Sequence, residues 1–222
     1  MSFARIYSQA AARKGGDAEL RALLPRVAGP DELEARGDDR YLSEVTRCVF
    51  KAGFVWRVIE NKWPGFEAAF KGFVPLYWQQ VPPEVLEDLA QDERIVRNMQ
   101  KIRTVPDNAR MIVDGGREHG SFGAFLSHWP SDDQVGLLMW LKRNGARLGG
   151  NTAQYFLRRV GWDGFILSSD VVVGLHREER LDATPGSKKA LVQAQQAFND
   201  WHRETGLPYS HLSRILSCSV GD

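Results

Sequence analysis

The stretch LKRNGARLGGNTAQYFLRRVGWDGFILSSDVVVGLHR, Leu141 to Arg177, decides how the rest of the chain is read. A cationic helix end, Lys142-Arg143, runs into a tight hairpin, Leu148-Gly149-Gly150, and a helix of pattern TAQYFLRRV leaves it. Glycines let a backbone approach an anion closely, and successive amides at a helix N-terminus form a nest for a phosphate. Arg147 precedes the turn. Asn151 and Thr152 follow it, with Thr152 placed to cap the helix or to donate to the same phosphate. About twenty residues past the hairpin a lone carboxylate, Asp170, opens another helix. Each feature also has a plain reading: Gly-Gly is a common turn, and Ser168-Ser169-Asp170 is a helix N-cap. The order is what matters, because a carboxylate so spaced comes close to the sugar attached to a held phosphate.

Outward from this stretch, the apolar spacing is helical almost throughout. Helices are expected over Ser2–Arg13, Asp17–Leu24, Gly29–Arg36 and Asp39–Ala52, the last with Leu42, Val45, Val49 and Ala52 on one stripe. Val55–Lys62 follows, ending at Trp63-Pro64-Gly65, with shorter helices near Gly65–Phe70 and Pro83–Ala90. Asp107–Glu118, Ser121–His128, Asp133–Asn144, Thr152–Val160, Asp170–Arg177, Ser187–Thr205 and Ser210–Ser217 complete the set. In the long C-terminal helix Leu191, Ala194, Phe198 and Trp201 mark the inner side. No sustained alternating pattern or repeat is present, so the fold class is all-α, with Gly and Pro as punctuation between helices. His176–Lys188 reads as a surface connection or lid.

The chain has 222 residues, 43% hydrophobic and 26% charged, within the ordinary range for a globular domain. A net charge of +1 gives no global attraction to nucleic acid, so any such role needs a local basic face. Three clusters supply candidates: Arg94, Arg97, Lys101 and Arg103; Lys142, Arg143 and Arg147; Arg158 and Arg159. Any one of them can equally be a solvated helix face. Two cysteines, Cys48 and Cys218, fit a reducing compartment rather than a disulfide framework. The N-terminal residues lack an apolar signal core and no run approaches a membrane span, so a cytoplasmic protein without a membrane partner is expected.

With these blocks on the page, the chain resembles the helix-hairpin-helix base-excision DNA glycosylases, and within them the 3-methyladenine DNA glycosylase I relatives. AGFVW at Ala52–Trp56, GFEAAFKGF at Gly65–Phe73, DERIVRNMQKI at Asp92–Ile102, NAR at Asn108–Arg110 and LKRNGARLGGNTAQYF resemble that family's blocks, in its order, over roughly Asp39 to Glu178. The resemblance implies a helix-hairpin-helix fold of two helical lobes flanking a central cleft. It divides the chain into a helical N-terminal arm (1–38), a core (39–178) and a C-terminal extension (179–222). It implies a monomer acting on double-stranded DNA with a damaged base flipped out.

The resemblance also assigns roles. Asp170 takes the place of the superfamily's catalytic Asp, which endonuclease III and 3-methyladenine glycosylase II relatives also carry. A helix start favours a negative side chain. An ionised carboxylate there stabilises the cation that develops on deoxyribose and activates water. Trp56 aligns with the family's stacking Trp, Tyr41 opens the preceding helix, and an aromatic pocket favours a cationic alkylated purine by cation–π attraction. Trp63, Tyr77 and Trp78 are further lining candidates that equally suit a core. Lys51 or Phe54, in the Lys51-Ala52-Gly53-Phe54 turn, sits where relatives insert a wedge. Gly149, Gly150, Asn151, Thr152 and Arg147 hold the phosphate backbone.

Two departures stand out. The subgroup's base-binding Glu, eight residues before the Trp, is Cys48 here, with Glu44 one helical turn earlier on the same face. The subgroup's Cys/His zinc clamp has no counterpart, so no metal and no cofactor are expected. Asn151 stands where bifunctional relatives carry a Schiff-base Lys, and an amide cannot attack the sugar carbon. The chain therefore reads as a monofunctional glycosylase for damaged, alkylated purines. The rival of another class is a helix-hairpin-helix DNA-damage binding protein that has lost catalysis, and a third reading is a glycosylase for bulkier adducts.

Overall fold

The computed structural model describes residues 2–220, and the regular elements among them are all helical. In chain order they are α1 (Phe3–Lys14), α2 (Asp17–Ala22), α3 (Pro30–Ala35), α4 (Asp38–Lys51) and α5 (Trp56–Ala69), then a 3-10 turn at Lys71–Phe73. They continue as α6 (Pro75–Trp78), α7 (Pro83–Leu89), α8 (Met99–Ile102), α9 (Thr104–Gly116), α10 (Phe122–His128) and α11 (Gln134–Asn144). Last come α12 (Thr152–Val160), α13 (Ser169–Arg177), α14 (Lys188–Thr205) and α15 (Tyr209–Cys218). The all-α expectation is met. No helix among the described residues is long and apolar enough to cross a membrane.

The chain forms two compact units. One takes the described parts of Met1–Ala28, Pro130–Leu137 and Gly161–Asp222. Its core joins Phe3, Ile6 and Leu20 to Phe165, Leu175, Phe198, Trp201 and Leu216, so α1 and α2 pack with the C-terminal helices. Gly161, at φ +88°, lets the chain pass Ala28 closely: a Cβ there would meet Ala28 Cβ at 2.7 Å. The amide of Ala28 donates to the Gly161 carbonyl at 2.9 Å. The segment 176–188, read as a surface connection or lid, is anchored. Leu181 and Ala183 are buried in the core, and Arg180 pairs with Asp200 at 3.1 Å. Two small apolar side chains amid charged neighbours gave little sequence signal of this anchoring.

The other unit takes Gly29–Trp129 and Leu138–Val160. Its α4 buries Leu42, Val45 and Val49, and α5 lays Ile59, Trp63 and Phe66 beside it. Trp63, Phe66, Phe70 and Phe73 form stacked pairs with ring centroids 4.8 to 6.1 Å apart. This stack corrects the break expected at Trp63-Pro64-Gly65: α5 runs through Pro64. Proline removes one amide donor, but burial of the aromatic face holds the helix together across it. Gly65 is required for contact, since a Cβ there would lie 2.4 Å from the Arg94 carbonyl oxygen. Pro106 likewise fails to delay α9, which starts at Thr104, because proline is tolerated in a first helical turn.

Glu67 ties this unit together. Its carboxylate accepts from Arg40 through both guanidinium nitrogens at 3.0 Å, from Ser43 Oγ at 2.6 Å and from Trp63 Nε1 at 2.9 Å. Burial pushes its pKa up, but the hydrogen bonds from Arg40, Ser43 and Trp63 outweigh burial and leave it below the usual range. A carboxyl depressed on folding stabilises above its unfolded pKa of about 4.3 and loses that contribution as pH falls through the folded value. Thermal melts should therefore show Glu67→Gln less stable than the parent at pH 7, with a shallower decline below about pH 4.3. An unchanged acid limb would remove Glu67 from that role.

Candidate functional site

The last turn of α4, the turn into α5 and one face of α12 enclose a pocket of about 240 Å³. Cys48, Lys51, Ala52, Gly53 and Trp56 line one side, and Asn151, Thr152, Tyr155 and Arg159 the other. The volume lies below the roughly 300–1,000 Å³ of drug-sized sites and is of the order a single nucleobase fills. Cys48 and Lys51 lie one turn apart on α4, with Ala52 at its C-cap, and on α12 Thr152, Tyr155 and Arg159 follow steps of three and four, which explains why each set shares a face. Trp56 is 50% exposed and meets Tyr155 edge to face at 5.3 Å, so an aromatic surface is open to a ligand.

Charge surrounds this pocket in a specific pattern. Arg159 Nε pairs with Glu44, and Arg159 Nη1 approaches Glu60 at 3.6 Å. Arg47 reaches Glu44 at 3.2 Å and Glu60 at 3.8 Å. Lys51 pairs with Glu60, and its ammonium also stands 5.2 Å from the Trp56 ring centre. Burial works against the charge on Arg159, but the hydrogen bond and charge of Glu44 outweigh it and hold the guanidinium protonated. Burial pushes the Cys48 thiol up to about 12, so it is a neutral thiol at physiological pH.

The hairpin borders the pocket. Gly150 takes φ +56° and Arg147 φ +57°, and a Cβ on either Gly149 or Gly150 would meet nothing within 4 Å. The glycine faces are thus open to an approaching backbone. Buried Asn108 fixes the loop before them: its Oδ1 accepts from Ala146 N at 2.8 Å and its Nδ2 donates to Ala146 O at 3.3 Å. Lys142, Arg143 and Arg147 are exposed at this end of the unit. Lys101, also buried, donates to the Phe50 and Ala52 carbonyls at 2.9 and 2.7 Å and so fixes the turn that carries Gly53 and Phe54.

Of the residues singled out in the sequence, Cys48, Lys51, Trp56, Asn151 and Thr152 converge on the pocket. Tyr41 does not. It is fully buried, donates to the Leu33 carbonyl at 2.7 Å and packs on Phe122, because its place in the first turn of α4 points it into the core. Trp63 and Trp78 are core residues as well. The Glu44 carboxylate is committed to Arg47 and Arg159 and is absent from the lining. Lys51 is only 7% exposed and ion-paired, which is not the condition of a wedge, whereas Phe54 is 43% exposed on the turn. Arg147 donates to Gln100 at 2.7 Å. Tyr155 went unread and Arg159 was read only as one of a basic pair, although their spacing from Thr152 was the available signal.

Asp170 belongs to the other unit, in the first turn of α13. The N-cap there is Ser168, whose Oγ accepts from Val171 N at 3.3 Å. Asp170 is thereby relieved of capping and exposed, and among the described residues its carboxylate takes no hydrogen bond. No group of three or more His, Cys, Asp or Glu among the described residues is placed to hold a metal ion.

Comparison with known proteins gives a family match and fold matches. Residues 34–157 match the model of the methyladenine glycosylase family. The chain is similar to 3-methyladenine DNA glycosylase I from Staphylococcus aureus, at 20% identity and a TM-score of 0.51, covering 63% of this chain and 81% of that one. It is similar over 96% of its length, and 95% of the other, to Methanocaldococcus jannaschii 8-oxoguanine glycosylase/lyase, solved with a 15mer DNA containing 8-oxoguanine, at 15% identity and a TM-score of 0.57. These likenesses confirm the helix-hairpin-helix glycosylase fold.

Asn108 anchors the hairpin loop from inside the unit, so its loss leaves both polar groups of Ala146 without that partner. Asn108→Ala should cost about 1–3 kcal/mol in denaturant unfolding. Parental stability in the variant would show that the hairpin needs no such anchor.

Proposed function

Because the chain belongs to the methyladenine glycosylase family, we propose that it is a DNA glycosylase that hydrolyses the N-glycosidic bond of a damaged purine, an alkylated one being the class the family description suggests. The observation that carries this reading is the nucleobase-sized pocket lined by Trp56 and Tyr155 and bordered by Asn151 and Thr152 of the hairpin. A flipped purine stacks on the exposed indole. The open glycine faces and the α12 amides take the neighbouring phosphate. Lys142, Arg143 and Arg147 add counter-charge along the strand, with the protein acting as a monomer on double-stranded DNA. Phe54, on the fixed turn beside the pocket, fills the space the base leaves.

Asp170 is the carboxylate we assign to chemistry. Exposed and without a capping role, it is suited to stabilise the sugar cation and to take a proton from water. The reading as hydrolysis without strand cleavage draws on Asn151 and Lys51. Asn151 offers an amide, which cannot attack C1′, and Lys51 is turned to an ion pair with Glu60.

The second reading, a damage-binding protein without catalysis, draws on the absence of any carboxylate from the pocket lining. Base release from damaged duplexes separates the two. Asp170→Asn should lower release at least about 100-fold while leaving DNA affinity within about twofold. Release at the parental rate would refute the assignment. Lys142→Ala and Arg143→Ala should each weaken binding to every duplex alike and lower the salt slope by about one. A sequence-dependent effect would show that these side chains do not contact phosphate.

A further inference from the structure

The pocket lining holds two cations, Lys51 and Arg159, and no carboxylate. The nearest acids are turned toward protein cations: Glu44 to Arg47 and Arg159, Glu60 to Lys51, Arg47 and Arg159. Three cations against two carboxylates leave one net positive charge around the site. The π face of Trp56, which the sequence offered to a cationic base, already carries the Lys51 ammonium at 5.2 Å. One cation beside that ring is thus supplied by the protein itself. Cys48 adds a neutral thiol where a carboxylate would have paired with a charged base.

Among the polar partners that remain, Asn151, Thr152 and Tyr155 can donate or accept, whereas Arg159 can only donate. A guanidinium only donates, in a fixed planar fork, so its complement on a ligand is an acceptor such as a carbonyl oxygen or an unprotonated ring nitrogen. Resting on the glycosylase reading of this pocket, we propose that it selects uncharged damaged purines with an acceptor edge, read by Arg159, and discriminates against purines that carry a fixed positive charge. Specificity is thus set partly by repulsion.

The chemistry is consistent with that choice. An uncharged purine is a poorer leaving group than a cationic one and needs more assistance. As the C1′–N9 bond breaks, its electron pair stays on the departing base. A guanidinium donating to the acceptor edge stabilises that developing negative charge. The oxygen of water becomes the hydroxyl on C1′, one of its protons ends on the base, and no further reactant is required.

The test uses one duplex carrying, in turn, N7-methylguanine, 1,N6-ethenoadenine, hypoxanthine or undamaged guanine. Single-turnover release is measured with the parent protein and corrected for spontaneous loss. Affinity is measured with Asp170→Asn. The two uncharged lesions should be favoured over N7-methylguanine by about tenfold or more, in release and in affinity. Arg159→Lys, which keeps a cation for Glu44 but loses the planar fork, should shrink that preference. Cys48→Glu should shift it toward N7-methylguanine, with circular dichroism confirming that both variants fold. Equal or better handling of N7-methylguanine by the parent overturns the proposal. If no duplex loses its base, the glycosylase reading falls, and the affinity order alone then decides: uncharged lesions bound more tightly uphold the inference, and a flat or reversed order overturns it.

Discussion

Two carboxylates, Glu44 on α4 and Glu60 on α5, hold the pocket walls in register. Between them they gather Arg47, Lys51 and Arg159 from α4 and α12. Each ion is partly shielded from water, so deleting one partner strands another with an uncompensated charge, a larger penalty than the pairing itself contributes. The same contacts put Lys51 over Trp56 and place Arg159 in the pocket lining. Charge pairing therefore does two things at once here. It fixes three helices relative to one another, and it decides which charges a ligand meets.

Much of this unit was legible in the sequence. The hairpin, the flanking helices and the convergence of Cys48, Trp56, Asn151 and Thr152 follow from spacing and from resemblance. The failures share a physical origin. Pro64 reads as a stop, yet the Trp63–Phe66–Phe70–Phe73 stack overrides one missing amide donor. Tyr41 reads as a pocket aromatic, yet its hydroxyl finds the Leu33 carbonyl inside the core. Leu181 and Ala183 look like loop residues and are core. In each case tertiary packing, invisible to a local pattern, decides the outcome. Arg159 is the instructive omission. Read as one of a basic pair, it looked like surface charge, and only its partner Glu44, 115 positions away, reveals its place.

The family match and the compact units divide the chain in nearly the same place. Residues 34–157 fall almost wholly within the unit that holds the pocket and hairpin. Asp170 lies beyond that match, in the unit built from both ends of the chain. The parts proposed to read a base and grip a strand are thus encoded in one continuous stretch, which is why they carry a recognisable sequence. A carboxylate at a helix start carries almost none, because any N-terminal turn favours an acid. Its assignment rests on spacing from the hairpin and on Ser168 having taken over the cap.

Cys48 and Glu44 are best understood together. A carboxylate at position 48 would stand in the lining, offset the net positive charge there and face the ligand. At position 44, one turn back, the acid performs that neutralisation from outside the lining. The acid on this face of α4 therefore serves the protein and leaves the ligand to the guanidinium it positions. Burial keeps the thiol that replaces it neutral, adding polarisable bulk without a competing charge. One substitution on α4 and one arginine on α12 thus act as a unit: the thiol withholds the negative partner a charged base would need, while Arg159 supplies the donor an uncharged base can use.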